Sequence, residues 1–338
     1  MAFEPPKTAF ALAGPVAAPA VQRRRLVSST LLLLVAIAGT VLLARWSGLR
    51  LADVTAAVAT VPLWLVAAFV ALTATQIALS AWKWRIVLRT ARPNAHDRLS
   101  FRFLYNCTAL AAFLSQFMTV YLSSIVVRAW ALKRHAGLEA RYAATTSLFE
   151  QVFDVIALTV MLAPALVVWS LGGTFEQWIA VTAASICAGA ASLKFFRVAL
   201  GSASLLRHLG PRIRSVAEMV EESAASGLLT TSCMLKLYAL SIVRYLTMLV
   251  RVPMLILAFG LPIAAADSVP GFTIVQATQV AALTPGQLGI REWSWSGVLA
   301  IRGYDLQLAT RFAIDLRVVG MIAMALAMLT CIGARRPR

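Results

Sequence analysis

The feature that constrains this chain most is a succession of apolar runs, each long enough to cross roughly 30 Å of hydrocarbon as an α-helix. They lie near residues 26–46, 61–82, 142–170, 178–196, 228–260 and 309–332, which predicts six full spans. Lipid offers an open backbone no hydrogen-bond partners, so runs of this length select helices. Only 13% of the 338 residues are charged and 60% are hydrophobic, against about 25% charged in soluble domains, which argues against a soluble fold.

The run at 26–46 follows Arg23-Arg24-Arg25, as the core of a secretory signal would. It is longer than such a core and ends in Arg45-Trp46, without a small-residue cleavage site, so it is read as a span. Residues 1–22, rich in Pro and Ala, read as a disordered leader, residues 23–334 as one transmembrane domain, and 335–338 as a basic cytoplasmic tail.

Two apolar stretches do not read as single spans. Residues 103–127 carry Asn106, Ser115, Gln116, Ser123 and Ser124, and residues 267–302 are broken by Pro270-Gly271 and by Pro285-Gly286-Gln287-Leu288-Gly289. A helix crossing the second break would lose backbone hydrogen bonds, which is tolerated at membrane depth only where protein or water supplies partners. Both are expected to be re-entrant helical hairpins. The fold class expected is therefore all-α integral membrane, with about six full transmembrane helices and two oppositely oriented hairpins.

The distribution of charge supports that topology. The net charge of +17 comes from 31 basic and 14 acidic residues, and most basic residues sit in short patches between apolar runs, as topology signals do. With both hairpins in place the termini are cytoplasmic, and 21 basic residues face inside, among them Lys83, Arg85, Arg128, Lys133 and Arg134. Only six, Arg45, Arg50, Arg251, Arg291, Arg302 and Arg311, are assigned outside. Counting 103–127 as a full span would place the cluster 128–141 outside, against the bias. Nucleic acid is not an expected partner. Residues 204–226 mix three arginines with three glutamates and read as an amphipathic helix on the cytoplasmic surface.

Few motifs point to catalysis. Cys107, Cys187, Cys233 and Cys331 are scattered in apolar stretches, the three histidines form no metal-binding pattern, and there is no Walker A sequence. Neither a metal nor a cofactor is expected. The Ser80-x-x-Lys83 spacing, flanked by Trp82 and Trp84, is read as chance.

Charges inside apolar helices are costly and face a bundle interior or a wet cavity. Glu150 and Asp154, four apart, share a helix face. Arg244 lies mid-span, and Arg317 and Asp315 lie in the last span, where Arg311 and Asp315 can pair at i,i+4. Internal ion pairs that fix helix register and a role in a polar pathway are both open for these groups. The sharpest local feature is Pro285 to Glu292, PGQLGIRE. Pro285, Gly286 and Gly289 break the chain, and a half-helix beginning near Arg291 would offer unpaired N–H groups and a planar cation to a phosphate. Glu292 could instead cap those N–H groups itself.

PGQLGIRE is similar to the PGGLGVRE signature of the lysylphosphatidylglycerol synthase transmembrane-region family, the flippase-like membrane domains. Arg128-Ala129 resembles the segment after that family's first re-entrant region, Glu150-Gln151-x-x-Asp154 resembles its Glu-Arg-x-x-Asp motif, and Arg317 fits an arginine of its last helix. The likeness covers roughly residues 26–333. Gln151 stands where an arginine is common, and Met118 to Ser124 lacks a Pro-Gly-x-x-Gly-like sequence. The resemblance implies movement of lipids or lipid-linked sugars between leaflets of a bacterial cytoplasmic membrane. Arg128, Arg244, Arg291 and Arg317 would contact the headgroup phosphate, while Glu150, Asp154 and Glu292 would balance charge or carry a coupling proton.

The chain ends at Arg338 without the family's soluble aminoacyl-transferase domain, so lysyl transfer is not expected of it. The alternatives are a membrane-embedded enzyme or accessory subunit of lipid-linked glycan or hopanoid-type lipid synthesis, with Glu150 and Asp154 its only suitably spaced buried carboxylates, and a scaffold for a biosynthetic complex. The expected partners are membrane lipids, with a homodimer or a biosynthetic-complex partner left open.

Overall fold

A computed structural model describes residues 60–91, 99–118, 120–137, 140–201, 227–280 and 284–333, with isolated positions between 38 and 48. The leader, most of the run at 26–46, the amphipathic segment 204–226 and the basic tail lie outside the described residues. Among the described residues the secondary structure is helical throughout, without strands. In chain order the helices are α1 (Leu63–Ala91), α2 (Phe101–Leu114), α3 (Val120–Ala136), α4 (Ala140–Ser170) and α5 (Phe175–Gly201). They continue as α6 (Thr231–Leu249), α7 (Arg251–Phe259), α8 (Ala265–Val280), α9 (Ile290–Ile301) and α10 (Leu306–Gly333).

Five stretches are long and apolar enough to cross a membrane: Leu63–Ala91, Tyr142–Ser170, Phe175–Phe195, Thr231–Phe259 and Leu306–Leu329. They match five of the six runs read from the sequence. The first span differs in extent, because α1 continues from the expected end near 82 to Ala91. Ile86, Val87 and Leu88 carry its apolar pattern onward, and the ammonium of Lys83 is neutralised inside the bundle rather than exposed.

Both interrupted stretches fold as helix–break–helix pairs. α2 packs on α3, and α8 packs on α9. The first pair is longer than the 103–127 stretch, since α3 continues through Arg128 to Ala136. Its helix begins at Ser100, whose hydroxyl accepts the Phe103 N–H at 3.2 Å and satisfies one of the four orphan donors of the first turn. Its break, at Ser115 to Met118, forms without Pro or Gly. The Ser115 hydroxyl donates back to the Ala112 carbonyl at 2.6 Å, and the N–H groups of Gln116 and Phe117 reach carbonyls three residues earlier, tightening the last turn. The second break is a 3₁₀ turn, Pro285–Gln287, with Gly286, Gln287 and Gly289 at φ values of 59°, 57° and 79°.

Association of helices in lipid gains little from apolar burial itself, so close packing and polar contacts must hold the bundle. Each hairpin has its own packed anchor. The second is gripped by a run of rings, Tyr245, Phe272, Trp295 and Phe312, with neighbouring centroids at 5.5, 6.5 and 4.9 Å. The first packs on Trp84, Leu88 and Leu104 with Ala131 and Leu132. These anchors bring the two breaks together: the Gly286 N–H donates to the Met118 carbonyl at 3.2 Å. A Cβ on Gly286 would run into the Gln116 carbonyl, so glycine is required there by contact as well as by φ.

Candidate functional site

The helices enclose a cavity of about 320 Å³, lined by α1, α2, α3, α4, α6, α7, α8, α9, α10 and both hairpin breaks. Its wall is partly polar, with Gln76, Gln116, Gln151, Gln276, Gln279 and Gln287 among the lining residues. The side-chain nitrogen of the buried Gln279 and the hydroxyl of the buried Thr108 have no hydrogen-bond partner among the described residues. Buried polar groups without partners are rare and mark places where water or a ligand completes the bonding.

Of the sequence-derived residues, Arg128, Glu150, Asp154, Arg244, Arg291 and Arg317 all line this cavity. Their pairing divides them. Arg128 is buried, donates to the carboxylate of Glu150, and lies over the Trp84 ring at 4.6 Å. Glu150 also faces Lys83 at 3.7 Å, and Lys83 contacts Asp154 at 2.5 Å. Asp154 in turn pairs with Arg244 at 2.9 Å. The result is a chain of three cations and two carboxylates linking α3, α4, α1 and α6. The (i, i+4) spacing of Glu150 and Asp154 puts both on one face of α4, and that geometry lets a single ammonium bridge them.

Glu292 does cap its own helix, accepting the Gly289 N–H at 2.8 Å. The anion offered by the half-helix is thus partly supplied from within. Its other oxygen meets Arg317 at 2.5 Å, and Arg317 also donates to the Gly286 carbonyl at 2.6 Å. Arg317 therefore holds the broken turn in place from α10. Asp315 lies on the side of Arg311, its pairing partner at 3.6 Å, and outside the cavity lining.

Arg291 and Arg251 are different. Both line the cavity, and among the described residues neither is in ion-pair contact with a carboxylate. Arg251 donates to Thr73 at 3.1 Å and to Gln76 at 2.9 Å, and Gln76 is itself held by a contact to the Met248 sulfur at 3.2 Å.

Two charged residues of this region escaped sequence reasoning. Lys83, counted with the residues of an inside loop, is fully buried in the ion-pair chain. Arg251, assigned outside, instead reaches inward from the α6–α7 junction, within the single apolar stretch Thr231–Phe259. In both cases the signal was the apolar sequence on either side of the charge. Lys133 and Arg134, by contrast, are exposed near the end of α3.

Gln287 also deserves note for its backbone. A non-glycine residue at φ 57° costs roughly 1–3 kcal/mol, and the PGGLGVRE signature has glycine there.

Comparison with curated proteins and with solved structures returns no match. A family model described as the lysylphosphatidylglycerol synthase TM region matches residues 9–327, nearly the whole chain. With its five described apolar spans, its two broken helix pairs and this match, the chain is an integral membrane protein belonging to the lysylphosphatidylglycerol synthase transmembrane-region family.

Proposed function

We propose that this protein moves a lipid with an anionic or glycosylated headgroup between the leaflets of a bacterial cytoplasmic membrane. The observation that carries the reading is the charge of the cavity. Among the described residues, Lys83, Arg128, Arg244, Arg251, Arg291 and Arg317 line or border it, against the carboxylates of Glu150, Asp154 and Glu292. An uncompensated positive charge at membrane depth costs several kcal/mol, and an anionic headgroup is the natural compensation.

The broken helices supply the route. The two hairpins enter from opposite faces and their tips meet near the midplane, the arrangement in which discontinuous helices build substrate sites in transporters. At 1.5 Å per residue, Lys83 and Arg128 lie about 12 Å from helix ends at Ala91 and Ala136, and Glu150 about 15 Å from that at Ala140, on the cytoplasmic side. Arg251 and Arg291 lie about 12 and 15 Å from Phe259 and Ile301, on the opposite side. The headgroup crosses between these levels while its acyl or prenyl tails stay in lipid. Glu150, Asp154 and Glu292, each held by at least one cation, balance charge along the route.

The test is a leaflet-accessibility assay on purified protein in liposomes, using fluorescent anionic and zwitterionic phospholipids and a polyprenyl-phosphate-linked sugar. The protein should accelerate exchange of one anionic or glycosylated class above empty liposomes, and Arg291→Ala should abolish the acceleration. Equal rates with and without protein across the panel would contradict the reading.

A further inference from the structure

The cavity treats its arginines unequally, and the exceptions point to a bound group. Arg128, Arg244 and Arg317 each have a carboxylate in direct contact. Arg251 and Arg291 do not, although they come from different elements, the start of α7 and the first turn of α9. Each feels the repulsion of neighbouring guanidiniums, Arg251 that of Arg291 and Arg244, and Arg291 that of Arg317, which the attraction of Glu292, itself paired with Arg317, only partly offsets. The Nε of each is buried without a hydrogen-bond partner among the described residues, a feature shared with Arg128 and Arg244, but only Arg251 and Arg291 have no carboxylate against the rest of the guanidinium. Two guanidiniums that repel each other, with donors left unused on the wall of one cavity, define a place for an anion.

The surroundings narrow its chemistry. Arg251 is fixed by Thr73 and Gln76, so one edge of its guanidinium is spent on positioning and its Nε remains unused. Planar forks of this kind match a phosphate better than a point cation does. We infer that Arg251 and Arg291 together form a phosphate-binding site toward the non-cytoplasmic side of the cavity. The site deepens the translocation reading and rests on it for the source of the phosphate, a phospholipid or prenyl-phosphate headgroup. The ion-pair chain of Lys83, Arg128 and Arg244 is the paired counterpart at the other end, where each cation already contacts a carboxylate that a phosphate would have to displace first.

A structural consequence separates this from a packing role. Removing either cation strands no carboxylate, because Glu292 keeps Arg317, and it relieves repulsion between guanidiniums. Arg251→Gln and Arg291→Gln should therefore fold and melt no lower than the parent protein in detergent, while losing the ligand.

The experiment measures saturation binding to the purified full chain of two probes, fluorescent phosphatidylglycerol and radiolabelled inorganic phosphate. Either glutamine variant should weaken phosphatidylglycerol binding about tenfold or more, the loss expected for a removed charge-assisted contact, and Arg251→Lys should recover part of it. Inorganic phosphate should compete weakly in the parent and not in the variants. Binding of inorganic phosphate alone, lost in both variants, would keep the site and remove the lipid as its source, overturning the translocation reading. Phosphatidylglycerol binding unchanged in well-folded variants would overturn the site and leave translocation standing. A large drop in melting temperature in both variants would also overturn it, since these arginines would then be structural.

Discussion

Two groups of arginines share one cavity and are set up in opposite ways. Toward α1 and α4, Arg128 and Arg244 are locked with Lys83 onto Glu150 and Asp154. Toward the second hairpin, Arg251 and Arg291 line the same space without an ion pair to a carboxylate among the described residues. The first arrangement is self-sufficient: its desolvation cost is offset by mutual attraction, and it ties four helices into one register. The second is incomplete by itself, and needs water or a ligand to complete its bonding. The difference teaches that intramembrane charge in this protein has two uses, one holding the bundle and one available to a substrate.

The largest effect that would sharpen this contrast is expected at Glu150. Glu150→Gln strands Arg128 and leaves Lys83 with one partner, so it should destabilise the protein by about 3–5 kcal/mol, the cost of breaking a buried pair from one side. Thermal unfolding in detergent, followed by size-exclusion chromatography, checks it. A melting temperature equal to that of the parent would show the network to be no more essential than the free arginines.

Next in size is the contact between the hairpin tips. Gly286→Ala places a methyl group against the Gln116 carbonyl at a positive φ, so the breaks must part. Lipid exchange in liposomes should fall at least about tenfold, while the bundle, anchored by Trp295 and Trp84, stays assembled. Full exchange in this variant would show that the tips need not meet.

A smaller, opposite effect is expected at Gln287. Gln287→Gly removes the strain at φ 57° and should change stability by less than about 1 kcal/mol, since the flexibility glycine adds to the unfolded chain offsets part of the relief. Equilibrium unfolding of the two proteins compares them directly. The smallest effect belongs to Lys133→Gln, which is exposed near the end of α3 and should stay within about 0.5 kcal/mol of the parent. A loss as large as that at Glu150 would erase the distinction between buried and exposed charge.

Much of this arrangement was legible in the sequence. Long apolar runs select helices because lipid leaves the backbone no alternative, and five of the six runs correspond to described spans. PGQLGIRE announced the second break through residues that cannot continue a helix. The first break was legible only from its polar residues, because Ser115 to Met118 turns by hydroxyl and backbone bonding that no proline or glycine marks. Glu150 and Asp154 were found because four-residue spacing fixes their common face. What spacing cannot give is the partner from another helix. Lys83 looked like a loop residue because its neutralisation depends on α4, and Arg251 looked external because Thr73 and Gln76 lie far away in the chain.

The central claim is that the uncompensated arginines make the cavity a passage for anionic headgroups. Its most direct test is the ratio of leaflet exchange rates for fluorescent phosphatidylglycerol and phosphatidylcholine in liposomes, for the parent protein and the Arg251→Gln, Arg291→Gln double variant. The account predicts a ratio well above one in the parent that collapses toward one in a double variant that is still folded. A ratio that is the same in both proteins would contradict it.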